Sequence, residues 1–279
     1  MKNNFTIAIQ GMRGSFHHEA ATYIFGLGLK LEECHSFSDV INSTKNGHSD
    51  YGVMAIENSI AGCIIPNYNL LRHSGLEVCG ETGIRVRLNL MALNGEEIGK
   101  LTEVHSHQMA LRQCGSFLGK LNGSRIVEAF DTAGSAKNIQ ENKLSGVAAI
   151  AGNQAAREYG LSILAEGIED HKLNYTRFLI LKRKDQEQIS TCRNKMSVYF
   201  ETAHSPGSLA KLLTSISQLN INLSKLQSHP VPSKNSHYGF FATLDISEEN
   251  QIEDLQQILN TMTISHQILG VYEKGETHG

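Results

Sequence analysis

The run Asn174-Tyr175-Thr176-Arg177-Phe178 sets a neutral hydroxyl donor beside a permanent cation, just before the apolar, strand-like Phe178-Leu179-Ile180-Leu181. That combination suits a pocket for an anion that must lose a hydroxyl group. A guanidinium is a planar fork matching a carboxylate. A threonine hydroxyl can donate to a leaving oxygen. Earlier in the chain one device recurs: a strand-like run ends, a few small polar residues follow, and a helix-like stretch begins. It occurs at Gly14-Ser15, Asn58-Ser59, Ser106-His107, Asp131-Thr132 and Gly152-Asn153. In an open parallel sheet the carboxyl ends of the strands face one crevice. Helix starts carry unpaired N–H groups and partial positive charge, so several together make a neutral cradle for carboxylates. If Ser15 caps the first helix, His18 stands where a capping-box Glu would be, and the N–H groups there are more available to a ligand.

Each feature also has a plainer reading. Ser15, Ser59 and Thr132 can be helix caps only. Glu57 can be a surface carboxylate, and Gly11 and Gly14 can serve a turn. Gly11-Met12-Arg13-Gly14-Ser15-Phe16 is neither a dinucleotide fingerprint nor a phosphate-binding G-K-[ST] loop. No G-x-S-x-G nucleophile elbow occurs.

The elements that must position these residues alternate up to about Leu181, which argues α/β with largely parallel strands. Strands are predicted at Phe5–Ile9, Tyr51–Ile56, Ile126–Ala129 and Val147–Ala151. Helices are predicted from Phe16, from a Ser36 cap to Asn46-Gly47, over Gln108–Leu118, after Asp131-Thr132, and from Gly152-Asn153 to Gly160. Lys182 to Gln188 reads as a solvated linker. The pattern then restarts: strands at Ser197–Glu201, Ile221–Leu226, Tyr238–Ile246 and Ile264–Tyr272, with helices at Leu209–Leu219 and Ile252–Leu259. That βαββαβ order is ferredoxin-like.

The 279 residues allow one large domain or two ordinary ones, and a net charge of -3 gives no basic field for nucleic acid. Five scattered cysteines without a C-x-x-C pair read as reduced thiols of a cytoplasmic protein. The N-terminus lacks the apolar core of a secretion signal, and no apolar run approaches a membrane span. None of the thirteen histidines forms an H-x-x-x-H pair with a nearby Glu, so no metal site is expected.

Together the motifs resemble the prephenate dehydratase family over nearly the whole chain. The resemblance rests on Gly11–Phe16, on Glu57-Asn58-Ser59 with Gly62, and on Ser106-His107 with Cys114. It continues through Asp131-Thr132-Ala133, Ala148–Ala151, Tyr159-Gly160-Leu161, Asp170, Asn174 and Thr176-Arg177-Phe178. It implies a two-lobed catalytic domain like a type-II periplasmic binding protein over 1–183, with one lobe at about 1–80 and 166–183 and the other at about 81–165. A linker at 184–194 and an ACT domain at 195–279 follow. It implies conversion of prephenate to phenylpyruvate, water and carbon dioxide without cofactor or metal. Phenylalanine is implied as feedback effector, held across an interface between chains by Pro206, Gly207, Ser208, Leu209, Asn222, Leu223, Gln227, Ser228, His229 and Pro230. Gln227 and His229 stand where the family has Glu and Arg. A homodimer or homotetramer is expected.

On that resemblance Thr176 donates to the leaving oxygen, relaying a proton from water or Glu57, and Arg177 binds the side-chain carboxylate. Asn58, Ser59 and Thr132 bond the substrate, and Phe178 forms an apolar wall. Ser15, Ser106, His107, Ala133, Asn153 and Asn174 complete the expected pocket. Arg85 and Arg87 are expected at the surface. The rival readings are the same chemistry on arogenate, and a ligand trap that binds amino acids without catalysis.

Overall fold

The computed structural model describes residues 5–121, 123–231 and 237–279; the strand-like start at 1–4 lies outside them. The chain opens with β1 (Thr6–Gln10), α1 (Phe16–Phe25), β2 (Lys30–Cys34), α2 (Phe37–Lys45), β3 (Tyr51–Asn58), the two-residue β4 (Gly62–Cys63), α3 (Ile65–Ser74) and β5 (Glu77–Arg85). β1 and β3 are continuous apolar runs because both faces are covered. A Ser36/Asp39 capping box fixes the start of α2. β2 escapes an apolar-pattern search because Lys30-Leu31-Glu32-Glu33 is a charged edge strand beside β1.

The second lobe comprises β6 (Asn89–Ala92), β7 (Glu103–His107), α4 (Gln108–Gln113), α5 (Gly115–Leu118), β8 (Arg125–Ala129), α6 (Thr132–Asn142), β9 (Val147–Ala151), α7 (Asn153–Tyr159) and β10 (Ser162–Ala165). Its sheet runs β10-β6-β9-β7-β8. The single helix expected over Gln108–Leu118 is broken at Cys114. There the Asp170 N–H takes the Gln113 carbonyl at 2.7 Å and the Asp170 carboxylate accepts from Ser116 N at 3.2 Å. β11 (Tyr175–Lys182) then returns to the first sheet, antiparallel between β3 and β5, so the sheets are mixed rather than largely parallel. All of β5 belongs to this first sheet, which therefore continues through Arg85.

The last part holds β12 (Lys195–Glu201), α8 (Ser208–Gln218), β13 (Asn222–Pro230), β14 (Tyr238–Asp245), α9 (Asn250–Met262) and β15 (Ser265–Tyr272). Its antiparallel sheet has the order β13-β14-β12-β15 with the helices on one face. Its other face does not look into solvent. Tyr199, Phe241, Leu269 and Tyr272 share one apolar core with Met54, Ile56, Val78, Leu179 and Leu181 of the first sheet. The sheets approach so closely that a Cβ on Gly270 would lie 2.1 Å from the Val78 carbonyl oxygen. Finally β16 (Thr277–His278) leaves this unit and pairs parallel with β5. The first sheet thus reads β16-β5-β11-β3-β1-β2, with β4 off β3.

The basic residues opening the expected linker are not solvated. Lys182 is 2% exposed and bonds Glu77 at 3.1 Å and the Gln186 carbonyl at 2.8 Å. Arg183 donates to the carbonyls of Thr44 and Ser49 at 2.9 and 3.0 Å. Both charges bond backbone carbonyls at the start of the folded linker. Among the described residues, no helix is long and apolar enough to cross a membrane and no His/Cys/Asp/Glu group is arranged to hold a metal.

Candidate active site

Asn58 and Thr176 meet because β3 carries a bulge. Thr176 pairs with Asn58 and Arg177 with Glu57, but Phe178 pairs with Ala55, leaving Ile56 without a partner. Before the bulge, Val53 and Ala55 face α1 while Met54 and Ile56 face the C-terminal sheet. The extra residue reverses that alternation. Glu57 joins Ile56 on the C-terminal side, and Asn58 turns to the side of Thr176 and Phe178.

The Asn58 amide is oriented without ambiguity. Its Oδ1 accepts from the N–H groups of Ile60 and Ala61 at 3.0 and 2.9 Å, so Nδ2 must be the end that faces Thr176. Nδ2 donates to Asn174 Oδ1 at 2.7 Å, and its second proton is shared between Thr176 Oγ1 at 3.0 Å and the Tyr175 carbonyl at 3.2 Å. Asn174 Nδ2 in turn donates to Gln113 Oε1 of α4 at 3.4 Å, which links the two lobes. A hydroxyl has one proton and two lone pairs. With a lone pair of Thr176 taken by Asn58, its proton is free to donate outward.

On the α1 side of β11 the residues that follow Thr176 are neutral. Phe178 lies edge-on to His17 at 5.0 Å between centroids. Burial pushes the His17 imidazole down to about 3, and its Nε2 accepts from Ala55 N at 3.4 Å. Ser15 caps α1, accepting from His18 N, while His18 Nδ1 accepts from Gly14 N at 3.0 Å. The starts of α1, α6 and α7 converge where the lobes touch. A Cβ on Gly11 would sit 3.7 Å from an Asp131 carboxylate oxygen and 3.9 Å from Ser15 Oγ, one on Gly134 would sit 3.3 Å from Met12, and the Gly152 backbone abuts the Phe16 ring. Asp131, not Thr132, caps α6, through Gly134 N at 2.7 Å. Thr132 and buried Ala133 follow as the first helical residues, with backbone N–H groups directed out of the helix end. Asn153 opens α7 and accepts from Asn89 at 3.0 Å.

Other expected pocket residues have structural partners. Ser106 is fully buried and donates to the Ile150 carbonyl at 2.6 Å. His107 caps α4 through Met109 N. Ser59 ties β3 to β11, accepting from Tyr175 N at 2.9 Å and donating to the Leu173 carbonyl at 3.2 Å. Arg85 and Arg87 are spent on the Lys172 carbonyl and on Glu166 at the surface.

Two expectations are corrected. Arg177 points away from Thr176, as successive residues of a strand must. Its guanidinium bonds Glu81 at 2.7 Å, Tyr272 at 3.1 Å and Thr243 at 3.5 Å, and lies 3.8 Å from Glu57. Burial works against its charge, but Tyr272 and Glu81 hold it more firmly cationic than usual. Glu81 also receives Lys195 at 2.6 Å. Glu57 is held by Lys225 at 2.7 Å, so it does not stand behind Thr176 as a proton relay. Thr176, Arg177, Glu57 and Ser59 do border one cavity of about 300 Å³, together with Lys195 and Lys274. The residues missed in the sequence are Gln113, Glu81, Lys195 and Lys225. Gln113 adjoins Cys114, itself part of a motif, but the three charges are visible only once the C-terminal sheet docks.

In the C-terminal unit, Pro206, Gly207, Ser208 and Leu209 line a cavity of about 570 Å³ with Tyr238 and Phe240. Ser228 and Pro230 pair with Phe240 and Tyr238. Leu223 packs under the helices, and Asn222 donates to Asp245 at 2.9 Å. Gln227 pairs with Phe241 and donates to the Ser228 carbonyl. His229 departs from expectation: it is 7% exposed, stacks on Phe241 at 5.7 Å and faces the catalytic domain. Burial and nearby Arg72 push its imidazole pKa down.

The family model described as prephenate dehydratase matches residues 7–186. The chain is 32% identical over 276 residues to a bifunctional chorismate mutase/prephenate dehydratase of Aquifex aeolicus, covering 98% of this chain and 75% of that protein. It is 38% identical over 226 residues to arogenate dehydratase 2 of Petunia hybrida, covering 81% of this chain and 57% of that one. Among solved structures, GqqA, described as a novel type of quorum quenching acylase, superposes with a TM-score of 0.84 at 28% identity over 96% of this chain and 98% of its own. A prephenate dehydratase from Arthrobacter aurescens in complex with L-Phe superposes with a TM-score of 0.82 at 24% identity, over 96% and 89%.

Proposed function

The chain belongs to the prephenate dehydratase family, and we propose that Thr176 drives its reaction by donating a hydrogen bond to the departing hydroxyl. It is an enzyme with that family's activity, the decarboxylating dehydration of prephenate to phenylpyruvate in aromatic amino acid biosynthesis. Losing the ring carboxylate and the hydroxyl makes an aromatic ring, so the reaction runs downhill without an electron sink. The task is to hold a dianion and help the hydroxyl leave.

The observation that carries the reading is the 3.0 Å bond from Asn58 Nδ2 to Thr176 Oγ1. It turns the threonine proton outward. A threonine is too weak an acid to surrender its proton outright. It donates a bond that tightens as the C–O bond breaks, while water supplies the net proton. Assistance of this kind is worth about 10²–10⁴ in rate. The ring carboxylate leaves as carbon dioxide, and its electron pair completes the aromatic ring. A cation clamped on that carboxylate would stabilise the charge that must disperse, so turning Arg177 away favours the chemistry. The carboxylates fall instead to the N–H groups at the starts of α1 and α6, beside Ser15, Thr132 and Ala133. Phe178 and neutral His17 wall the ring.

The C-terminal βαββαβ unit is read as an ACT module that binds L-phenylalanine as feedback effector. The cavity lined by Pro206–Leu209, Tyr238 and Phe240 and the L-Phe complex of the Arthrobacter relative support this. The family resemblance supports a homodimer or homotetramer in the cytoplasm. The Petunia relative supports arogenate as a second substrate. An acylase would need a nucleophile beside a base, whereas the side chain bonded to Thr176 is the Asn58 amide.

Phenylpyruvate absorbance followed on prephenate with and without phenylalanine, and phenylalanine formation followed on arogenate, test the whole reading. Turnover of prephenate, slowed by phenylalanine, is expected. Binding of prephenate with no turnover would leave a ligand trap instead.

A further inference from the structure

We infer that Lys225, a residue of the C-terminal sheet, is a positioning residue for the dehydration: it holds Glu57 and thereby fixes the β3 bulge that aims Asn58 at Thr176. The inference rests on Thr176 as the donor and adds a distant residue to the same machinery.

Two bulges face each other across the interface. In β3 the extra residue is Ile56, and it throws Glu57 onto the C-terminal side. In β13, Leu223 pairs with Leu244 and Lys225 with Thr243, so Ser224 is the extra residue. Leu223 packs under α8 and α9. Without the bulge, Lys225 would follow it two residues later into that apolar core. With the bulge, Lys225 swings to the opposite face, beside Thr243, passes over the Tyr68 ring at 5.2 Å and meets Glu57 at 2.7 Å. Each sheet spends a ladder position to make one contact. The Lys225 side chain is 10% exposed and that of Glu57 39%, so the ammonium is withdrawn from water and restrained while the carboxylate still meets solvent. Bulges of this kind re-aim side chains beside active sites.

Glu57 and Asn58 are consecutive, and Glu57 pairs directly with Arg177. Glu57 therefore helps to fix the phase of the last two residues of β3, which β4 also pairs, Glu57 with Cys63 and Asn58 with Gly62. If Lys225 is removed, Arg177 at 3.8 Å is the ion partner left to Glu57 among the described residues. The bulge then loses its side-chain anchor and is held by the β4 pairing alone, and the Asn58 amide shifts from its aim at Thr176. The hydroxyl of Thr176 would lose the amide that orients it. Arg177 does not substitute for Lys225, because Glu81 and Tyr272 already hold it at 2.7 and 3.1 Å.

The test is kinetics on prephenate for Lys225→Met, Lys225→Arg, Asn58→Ala and the double variant Lys225→Met/Asn58→Ala, each with its melting curve. Lys225→Met should lose about tenfold or more in kcat with KM little changed, and Lys225→Arg should recover most of it. In the Asn58→Ala background Lys225→Met should cost nothing further in kcat. Equal losses from Lys225→Met in both backgrounds, or wild-type kcat in a folded Lys225→Met, would overturn the inference. If Lys225→Met does not fold, Lys225→Gln read in the same two backgrounds decides between the same outcomes. A harmless Thr176→Ala would sink the donor reading itself. A crippled Thr176→Ala beside an unaffected Lys225 variant sinks only this proposal.

Discussion

Asn58 Nδ2 lies 3.0 Å from Thr176 Oγ1 only because Ile56 has no partner across β3 and β11. One unpaired residue decides which face of the sheet receives the carboxamide and which receives Glu57. The Thr176 hydroxyl is oriented by an amide that is itself locked by two backbone N–H groups.

Removing that amide is therefore expected to act on the transition state more than on binding. Asn58→Ala should lower kcat by about tenfold to a hundredfold. Asn58→Asp should do the same or worse, since a carboxylate accepts the Thr176 proton instead of leaving it for the substrate. Steady-state rates on prephenate check this; a variant with Asp that keeps wild-type kcat contradicts the orientation.

Arg177 is expected to matter for folding and domain contact rather than for substrate affinity. Arg177→Met leaves Glu81 buried with Lys195 as its one cationic partner among the described residues. Breaking a buried pair commonly costs about 3–5 kcal/mol. A clear drop in melting temperature with KM for prephenate little changed is the expected result. A large rise in KM with unchanged stability would return Arg177 to the substrate pocket.

How much of this was legible in the sequence differs by element. The apolar runs of β1, β3 and β9, the Ser36 cap and the βαββαβ order all carry local signals, and they appear where expected. Thr176 and Asn58 stood out by residue type. The directions of Arg177 and Glu57 did not, because side-chain alternation follows from pairing, and a bulge leaves no mark in composition. Gly270 carries no local signal of its contact, because the Val78 carbonyl against it belongs to another sheet. His229 looked like an effector contact because its face is set by the pairing of β13 with β14.

Gly270→Ala should force the two sheets apart. The added methyl has no room beside the Val78 carbonyl, 2.1 Å away. Overpacking of a core typically costs about 1–3 kcal/mol, so a lower melting temperature is expected, read by calorimetry. An unaffected transition would mean that the C-terminal sheet is not docked as described.

A pH effect is expected from Glu19 of α1. Burial raises its carboxyl to about 7 from the ordinary 4.5, and Arg157 only partly opposes this. The native state therefore holds a proton that the unfolded chain releases between those values, and stability falls as pH rises through that window. Glu19→Gln removes the linkage. Its melting temperature relative to wild type should climb between pH 5 and pH 8. A constant difference across that range contradicts the buried, protonated Glu19.

The most direct measurement is the rate of phenylpyruvate formation from prephenate by Thr176→Ala and Thr176→Ser beside wild type. If the outward-turned hydroxyl helps the leaving group depart, Thr176→Ala loses at least tenfold in kcat with KM little changed, while Thr176→Ser keeps most of the rate. Undiminished turnover by Thr176→Ala would show that the hydroxyl leaves by some other route.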